Sequence, residues 1–325
     1  MENQAQTYDV VIIGGGAAGL SAAQALGRAR RSVLVVDAGE PRNAPAGEMH
    51  NYLSRDGMNP LDLLAAGRAE LARYGVGIVA DRATDSRRTD TGFAISLARN
   101  PEVSARRIIL AGGLKDRLPE IDGLAERWGH DVMHCPYCHG WEVQDRHFGI
   151  LDGPFSVHQA LMFTQWTKDI TMFKGRDRDL GPEDLEQLEA RGVVVVEADI
   201  AAVRGAAGSI QGVELSDGTV YPLDALVLMP RVEVDLSAVA SLGLAASEHP
   251  TGAGQYVEVD AMGQSQIPGL WVAGSLADSK QQVIMAAASG LGVGAAVNAD
   301  LTREETERDV AELRLRKAAL LGSEK

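Results

Sequence analysis

The chain contains little cysteine, few aromatic side chains and a deficit of positive charge. Among 325 residues it has two cysteines and 5% aromatics, and 31 Lys and Arg against 45 Asp and Glu give a net charge of −14. Nucleic acids and anionic membrane surfaces require a basic face on their partner, so this charge disfavours both. Two cysteines are too few for a disulfide framework, and we expect them to be catalytic or metal-binding.

Long apolar runs are also missing from the sequence. No stretch approaches the ~20 consecutive apolar residues of a typical membrane-spanning helix. The opening segment, MENQAQTYDVVIIGGG, enters an apolar strand without the charged region and cleavage site of a signal peptide. We therefore expect a cytoplasmic protein with no membrane partner.

Glycine is abundant, and the predicted strands and helices alternate. A strand at residues 9–13 is followed by a glycine turn, a helix at about 17–27 and the strand SVLVVD. The same order returns in FGILDG, SVHQALMFTQW and ITMFKG after residue 147. This internal repeat predicts an α/β protein with two Rossmann-like, three-layer dinucleotide-binding domains, because parallel sheets are covered by helices.

The length fits two domains, and the order of motifs predicts that one is inserted in the other. We expect residues 1–117 and 246–325 to form the first domain and residues 118–245 the second. The C-terminal third is predicted to contain a strand, a glycine turn and a long helix. Beyond Thr302 the pattern indicates a charged amphipathic helix with a solvated face.

The first glycine turn, VVIIGGGAAGL, has the GxGxxG spacing of a dinucleotide site between a strand and a helix. Gly14 permits the tight turn, Gly16 lets the backbone approach a pyrophosphate, and Gly19 lets the helix pack on its strand. Asp37 ends the next strand, where a carboxylate accepts hydrogen bonds from a ribose. The motif predicts dinucleotide binding but leaves NAD and FAD both open.

The segment HCPYCHG holds both cysteines, Cys135 and Cys138, between His134 and His139. A zinc site is disfavoured, since a structural site pairs two separated ligand clusters and no second cluster occurs. Inert thiols stay possible, but the CxxC spacing favours a redox pair in which one cysteine attacks and the other resolves.

The first glycine turn, AGG at 111–113 and GLWVAGS near the C-terminus resemble the FAD-contacting segments of the low-molecular-weight thioredoxin reductase family. EMHNYLSRDG resembles that family's loop beside the flavin, and the resemblance spans nearly the whole chain. The family has aspartate where this chain has Ser275, whose hydroxyl can still bond the ribityl chain or pyrophosphate. The resemblance implies FAD, and a homodimer, with cofactor contacts from Gly14, Gly16, Ala17, Ala18, Gly19, Asp37, Ala38, Arg42, His50, Asn51, Ala83, Ala111, Gly112, Gly113, Gly274, Ser275, Gln282 and Val283.

The second glycine turn departs from the family's NADPH-binding pattern. Leu151 replaces its first glycine, Asp152 brings a negative charge, Pro154 removes a backbone donor, and Phe155 adds bulk. The basic residues of KGRDRD, which are Lys174, Arg176 and Arg178, are interpreted as a solvated charged loop. We expect NADPH binding to be absent or poor.

The pattern H-CPYC-HG resembles the flavin-dependent dithiol oxidases of the gliotoxin and holomycin type. The resemblance implies that Cys138 faces the flavin and that Cys135 exchanges with a small-molecule dithiol, with oxygen as final acceptor. His134 or His139 would accept the proton of the incoming thiol. A thioredoxin reductase-like enzyme that uses NADPH or another donor, and a non-enzymatic flavin redox sensor, are the alternatives.

Overall fold

The computed structural model describes residues 6–206 and 209–322. Its strands are β1 (Thr7–Ile13), β2 (Val33–Asp37), β3 (Gly77–Ala80), β4 (Ala83–Thr89), β5 (Gly92–Leu97), β6 (Val103–Leu110), β7 (Leu114–Arg117), β8 (Val132–Met133), β9 (Phe148–Leu151), β10 (Ile170–Lys174), β11 (Val194–Glu197), β12 (Ile200–Ala206), β13 (Ser209–Leu215), β14 (Val220–Tyr221), β15 (Ala225–Val227), β16 (Arg231–Val234), β17 (Ser247–Glu248), β18 (Gln255–Tyr256) and β19 (Leu270–Val272). Its α-helices are α1 (Ala17–Arg28), α2 (Pro60–Leu71), α3 (Pro136–His139), α4 (Ser156–Phe163), α5 (Pro182–Ala190) and α6 (Val283–Gly322). Short 3-10 helices lie at Ala72–Tyr74, Ala125–Arg127, Ser237–Leu242 and Gly274–Leu276.

The first domain is built on a sheet with the order β3-β2-β1-β6-β5-β4, in which β19 also pairs with β6. Strands β3, β2, β1, β6 and β19 run parallel, and β5 and β4 continue the sheet in antiparallel fashion. The apolar runs of β1 and β2 are buried on both faces, as parallel strands require. Small residues of α1 and α6 pack against one of these faces.

The second domain repeats this arrangement. Its parallel sheet has the order β11-β10-β9-β15-β8. Residues of α4 and α5 bury one face, and the antiparallel strands β12, β13 and β14 bury the other. The unit β9-α4-β10-α5-β11 therefore matches β1-α1-β2-α2-β3, and the predicted fold class is confirmed.

Two antiparallel strands, β7 and β16, carry the chain out of the first domain and back into it, with Lys115 opposite Glu233. The return comes earlier than the predicted boundary at residue 246. Ala238, Val239 and Leu244 are buried in the first domain's core, and the Ser86 hydroxyl donates to the Ala238 carbonyl oxygen at 2.8 Å. Apolar burial and this hydrogen bond assign residues 237–244 to the first domain, which corrects the sequence-based boundary.

The predicted C-terminal helix is the second half of α6, and its residues beyond Leu301 are almost all exposed. The first half packs so closely on α1 that a Cβ at Gly290 would collide with the Ala18 carbonyl oxygen. Length and composition alone would allow Val283–Leu320 to cross a membrane. The contacts of Gly290 and Gly294 with α1 give this segment a packing role within the first domain.

Candidate active site

A cleft of about 750 Å³ lies between the two domains and holds the predicted catalytic segment. Its volume is within the range of pockets that bind small molecules and cofactors. His134, Cys135, Cys138 and His139 all line it. Every predicted cofactor residue except Gly19 and Asn51 lines the same cleft.

The first glycine turn has the geometry expected of a phosphate cradle. Gly14 has φ +112°, and a Cβ there would collide with the Ala111 carbonyl oxygen. A Cβ at Gly19 would collide with the Gly14 carbonyl oxygen, so the lack of a side chain at Gly19 lets the start of α1 pack against the turn. Gly16 differs, because a Cβ at that position would meet nothing within 4 Å. The open side of Gly16 and the N-terminus of α1 therefore face space that a pyrophosphate can fill.

Asp37 is held in place by two contacts. Its Oδ2 accepts from the Arg68 guanidinium at 2.7 Å, and its Oδ1 accepts from the Gly39 backbone N–H at 3.0 Å. Arg68 also lines the cleft. Sequence reasoning missed Arg68, because it lies on α2 outside any motif and only the fold brings it to Asp37.

The segment before α6 completes this part of the cleft. Ser275, Gln282 and Val283 line it, and Gly274 adopts φ +78°. The Gln281 Oε1 atom is buried and has no hydrogen-bond partner among the described residues. An unpaired buried amide oxygen costs about 1–3 kcal/mol, so a ligand donor at this point would be stabilising. These residues fit FAD.

Cys135 and Cys138 form a disulfide with a Cα–Cα distance of 5.3 Å. Cys135 follows β8 and caps α3, and its carbonyl oxygen accepts from the backbone N–H groups of Cys138 and His139 at 3.2 and 3.3 Å. The two cysteines are therefore joined in the oxidised form of a pair, as the redox-pair interpretation of the CxxC motif requires.

One face of α4 and the turn that follows it support the CxxC segment. The Gln159 side-chain amide donates to the His134 carbonyl oxygen at 3.3 Å, and the Tyr137 hydroxyl donates to the Met162 Sδ at 3.9 Å. The Tyr137 and Trp166 rings meet edge to face, with centroids 5.7 Å apart. Helix α4 is the equivalent of α1, and in the second domain it helps to position the disulfide.

A loop of the first domain holds α3 from the other side. The Asn51 side-chain amide donates to the Tyr137 carbonyl oxygen at 2.7 Å, and His50 Nε2 lies 3.3 Å from Glu142 Oε1. Asn51 has φ +61° and does not line the cleft. Its side-chain amide joins the two domains in this structure, and its contact with the cofactor stays a prediction.

The two histidines of HCPYCHG have different surroundings. The His134 ring stacks on Trp128 with centroids 5.5 Å apart. Burial, helped by the nearby positive charge of Arg42, lowers the pKa of His134 to about 4. Burial also lowers the pKa of His139, but Glu142 opposes that shift. Asp116 opposes the pKa shift of His134 in the same way, and both rings are neutral at neutral pH.

The second glycine turn is filled by the protein's own side chains. The Arg178 guanidinium pairs with Asp152, donates to the Gly153 carbonyl oxygen, and bonds the Ser156 hydroxyl at 2.8 Å. Asp152 also accepts from the backbone N–H groups of Gly153 and Gly175 at 2.9 and 3.1 Å. Donors that a phosphate would need are therefore already used.

The interpretation of KGRDRD as a solvated loop is wrong for two of its three basic residues. Arg178 lies in the second glycine turn, and Lys174 pairs with Glu197 at 3.0 Å and donates to the Arg178 carbonyl oxygen at 2.7 Å. Arg176 alone of the three is exposed, and its Nε lies 3.8 Å from Asp199.

Several known proteins resemble this chain in sequence or in fold. The model of the pyridine nucleotide-disulphide oxidoreductase family matches residues 8–290. Thioredoxin reductase sirT of Leptosphaeria maculans is 30% identical over 309 residues, which cover 90% of this chain and 93% of sirT. The solved structure of HlmI is 35% identical, with a TM-score of 0.86 and coverage of 96% of this chain and 97% of HlmI. An oxidoreductase from Agrobacterium tumefaciens is 36% identical, with a TM-score of 0.85 and coverage of 91% of this chain and 99% of that oxidoreductase.

Proposed function

Because this chain belongs to the pyridine nucleotide-disulphide oxidoreductase family and is a thioredoxin reductase-like enzyme, we propose that it is an FAD-dependent dithiol oxidase. Its substrate would be a small-molecule dithiol, and oxygen the final electron acceptor. The observation that carries this proposal is the Cys135–Cys138 disulfide, which lies in one cleft with an open phosphate cradle, while the second cradle is filled by Arg178.

Family membership implies a flavin cofactor, FAD. The open backbone at Gly16 and the N-terminus of α1 would hold its pyrophosphate, and Asp37 would accept hydrogen bonds from its ribose. Bound FAD supplies a two-electron acceptor for the reduced cysteine pair. Gln281, with its unpaired buried oxygen, adds an acceptor at the same cleft.

The residues of HCPYCHG would carry out thiol–disulfide exchange. His139 accepts the proton of one substrate thiol, and the thiolate attacks Cys135 so that the bond to Cys138 breaks. The second substrate thiol then attacks the mixed disulfide, which releases the substrate disulfide and leaves both cysteines reduced. Two electrons and two protons leave the substrate in this exchange, and reoxidation by one oxygen molecule would yield hydrogen peroxide.

A thioredoxin reductase-like activity is the second candidate, because sirT is named a thioredoxin reductase. That reaction needs an electron donor such as NADPH. The Asp152–Arg178 pair stands against NADPH, since it occupies the turn that would receive the pyrophosphate. A homodimer and a cytoplasmic location are further proposals, which rest on the resemblance and on the sequence.

Anaerobic reduction separates the two candidates. Dithiothreitol should bleach the flavin absorbance of the purified holoenzyme, and NADPH should do so slowly or not at all. In air, dithiothreitol oxidation should consume oxygen and produce hydrogen peroxide in equal amounts. Rapid bleaching by NADPH, with no oxygen consumption on dithiols, would establish the reductase instead.

The cysteine variants test the exchange chemistry. Cys135→Ser and Cys138→Ser should both lose dithiol oxidation. Cys138→Ser, incubated with the disulfide product, should accumulate a mixed disulfide between Cys135 and the substrate, because the Cys135 thiolate breaks the product's S–S bond and no Cys138 thiol resolves the adduct. The adduct is detectable as added mass that a reductant removes. A mixed disulfide that forms only in Cys135→Ser would reverse the roles of the two cysteines.

A further inference from the structure

We propose that the substrate dithiol binds in a lobe of the cleft whose wall is the degenerate second glycine turn. This proposal rests on the proposed dithiol oxidation and adds the site to it. The lobe, called the α4 lobe here, is lined by Phe155, His158, Met229, His249, Thr251 and Ala253. These residues share one cleft with His134 and Cys135.

Sheet topology places three sides of the α4 lobe together. Strands β9, β15 and β8 are neighbours and run parallel, so their carboxyl ends lie at one edge of the sheet. Phe155 follows β9, Met229 follows β15, and Cys135 follows β8. The Leu228 backbone N–H donates to the Met133 carbonyl oxygen at 2.9 Å, which ties the last two strand ends together. Ligands of open α/β sheets bind at this edge, where the order of strands reverses.

The remaining side of the α4 lobe is the turn at residues 249–253. The Val232 backbone N–H donates to the Ala253 carbonyl oxygen at 3.0 Å, which holds the turn against β16. His249 Nδ1 lies 2.7 Å from the Thr251 hydroxyl, so the imidazole is fixed within the turn. These hydrogen bonds fix the turn that carries three of the six lining residues of the lobe.

The chemistry of the α4 lobe favours an uncharged ligand with a flat apolar part. None of its six residues carries a permanent charge, and behind Phe155 the charges of Arg178 and Asp152 are paired with each other. Phe155 and Met229 offer an aromatic face and a polarisable thioether. His158 and His249 can exchange hydrogen bonds with polar atoms of the ligand. NADPH, which carries several phosphate charges, would find no free cation among these six residues.

Binding of an unreactive analogue tests the α4 lobe without turnover. The probe is the S,S-dimethyl thioether of ortho-benzenedimethanethiol, titrated into holoenzyme by calorimetry. Phe155→Ala should weaken its binding by about tenfold, the value of one aromatic contact at the upper end of its range. Gln165→Ala, an exposed change just after α4, is the control and should leave binding unchanged.

Kinetics give a second measure. In Phe155→Ala the KM for ortho-benzenedimethanethiol should rise by about tenfold, and the KM for dithiothreitol, which has no aromatic ring to contact Phe155, should rise by a smaller factor. His158→Ala should shift the KM for ortho-benzenedimethanethiol by a smaller factor.

Four outcomes are distinguishable. Unchanged probe affinity in a folded Phe155→Ala variant, or no probe binding to the wild type, overturns the lobe while dithiol oxidation can still stand. Displacement of the probe by NADP⁺ also overturns it, because the lobe would then be a nucleotide site. Probe binding that depends on Phe155, in an enzyme that oxidises no dithiol, supports the lobe and overturns the proposed function.

Discussion

The two glycine turns occupy equivalent places in two copies of one fold, and they differ in what fills them. Gly16 and Gly153 correspond, and a Cβ at either would meet nothing within 4 Å. In the first turn the open space belongs to the cleft. In the second, the Arg178 guanidinium lies against Asp152, Gly153 and Ser156. The second domain therefore keeps the fold of a mononucleotide-binding unit, although the donors of its turn are bonded to other groups of the protein. The fold alone does not establish that a domain binds a cofactor.

The second domain also contains chemistry that the first lacks. It carries the disulfide and both flanking histidines, and α4 supports them through Gln159 and Met162. The comparison teaches that the first domain keeps an open turn at the cleft, and that the second places the cysteine pair in the same cleft. Four predictions test this division.

The largest effect is expected at His139. His139→Ala should slow dithiothreitol oxidation at neutral pH by about 100-fold, the usual value of a general base. His134→Ala should slow it less, because a pKa of about 4 makes His134 a poor proton acceptor. The rate loss should shrink above about pH 8.5, where substrate thiols ionise without help. The measurement is kcat/KM against pH, with FAD content as control; a greater loss in His134→Ala would reverse the assignment.

The comparison of the two turns is tested most directly by a pair of matched substitutions. Gly16→Ala should weaken FAD binding by up to about 100-fold, since a methyl group in a filled site costs about 1–3 kcal/mol. Gly153→Ala places the same methyl group in the corresponding turn and should leave FAD content and dithiol oxidation unchanged. FAD released on denaturation and the melting temperature of each variant are measured. Equal FAD content in both variants would show that the first turn does not hold the cofactor.

Local motifs were predictable from the sequence, and long-range partners were not. The spacing of Gly14, Gly16 and Gly19 dictates a turn whose geometry depends on neighbours in sequence, and the strand-helix repeat follows from apolar periodicity. Arg178 reaches Asp152 across 26 residues, and a charged residue after a strand has the same pattern whether it is solvated or folded inward. Arg68 at Asp37 is hidden for the same reason.

The candidate site shows the same limit. The CxxC spacing predicts a redox pair, but the sequence cannot show that the His134 ring lies against Trp128 or that burial lowers the pKa of His134 to about 4. Nor can it show that the Asn51 side chain bonds the Tyr137 backbone. The Asn51 contact depends on how the two domains meet, and the His134 contact depends on packing within the second domain.

A third prediction concerns the ion pair in the second glycine turn. Asp152→Gly should raise the rate at which NADPH reduces the flavin by about tenfold, because it frees Arg178 and the backbone N–H of Gly153 for a phosphate. Asp177→Gly removes the same charge from an exposed position nearby and should not change that rate. Anaerobic stopped-flow absorbance is the measurement. A wild-type rate in Asp152→Gly would mean that the ion pair is not what excludes NADPH.

The smallest effect concerns the burial of His134. Its folded pKa of about 4 lies below the unfolded value of about 6.5, so the unfolded chain binds the extra proton first. Stability linked to this group is complete above about pH 6.5 and is lost as the pH falls toward about 4.

His134→Phe keeps a ring against Trp128 without a titrating group. Between about pH 7 and about pH 5.5 the wild-type holoenzyme should therefore lose about 1 kcal/mol more unfolding free energy than this variant. Urea unfolding at both pH values measures the difference, and His130→Phe, at an exposed histidine, should behave as the wild type. If His134→Phe and wild type lose equal stability, His134 titrates in the folded protein as it does in the unfolded chain. The conclusion that His134 is a weak base would then be wrong.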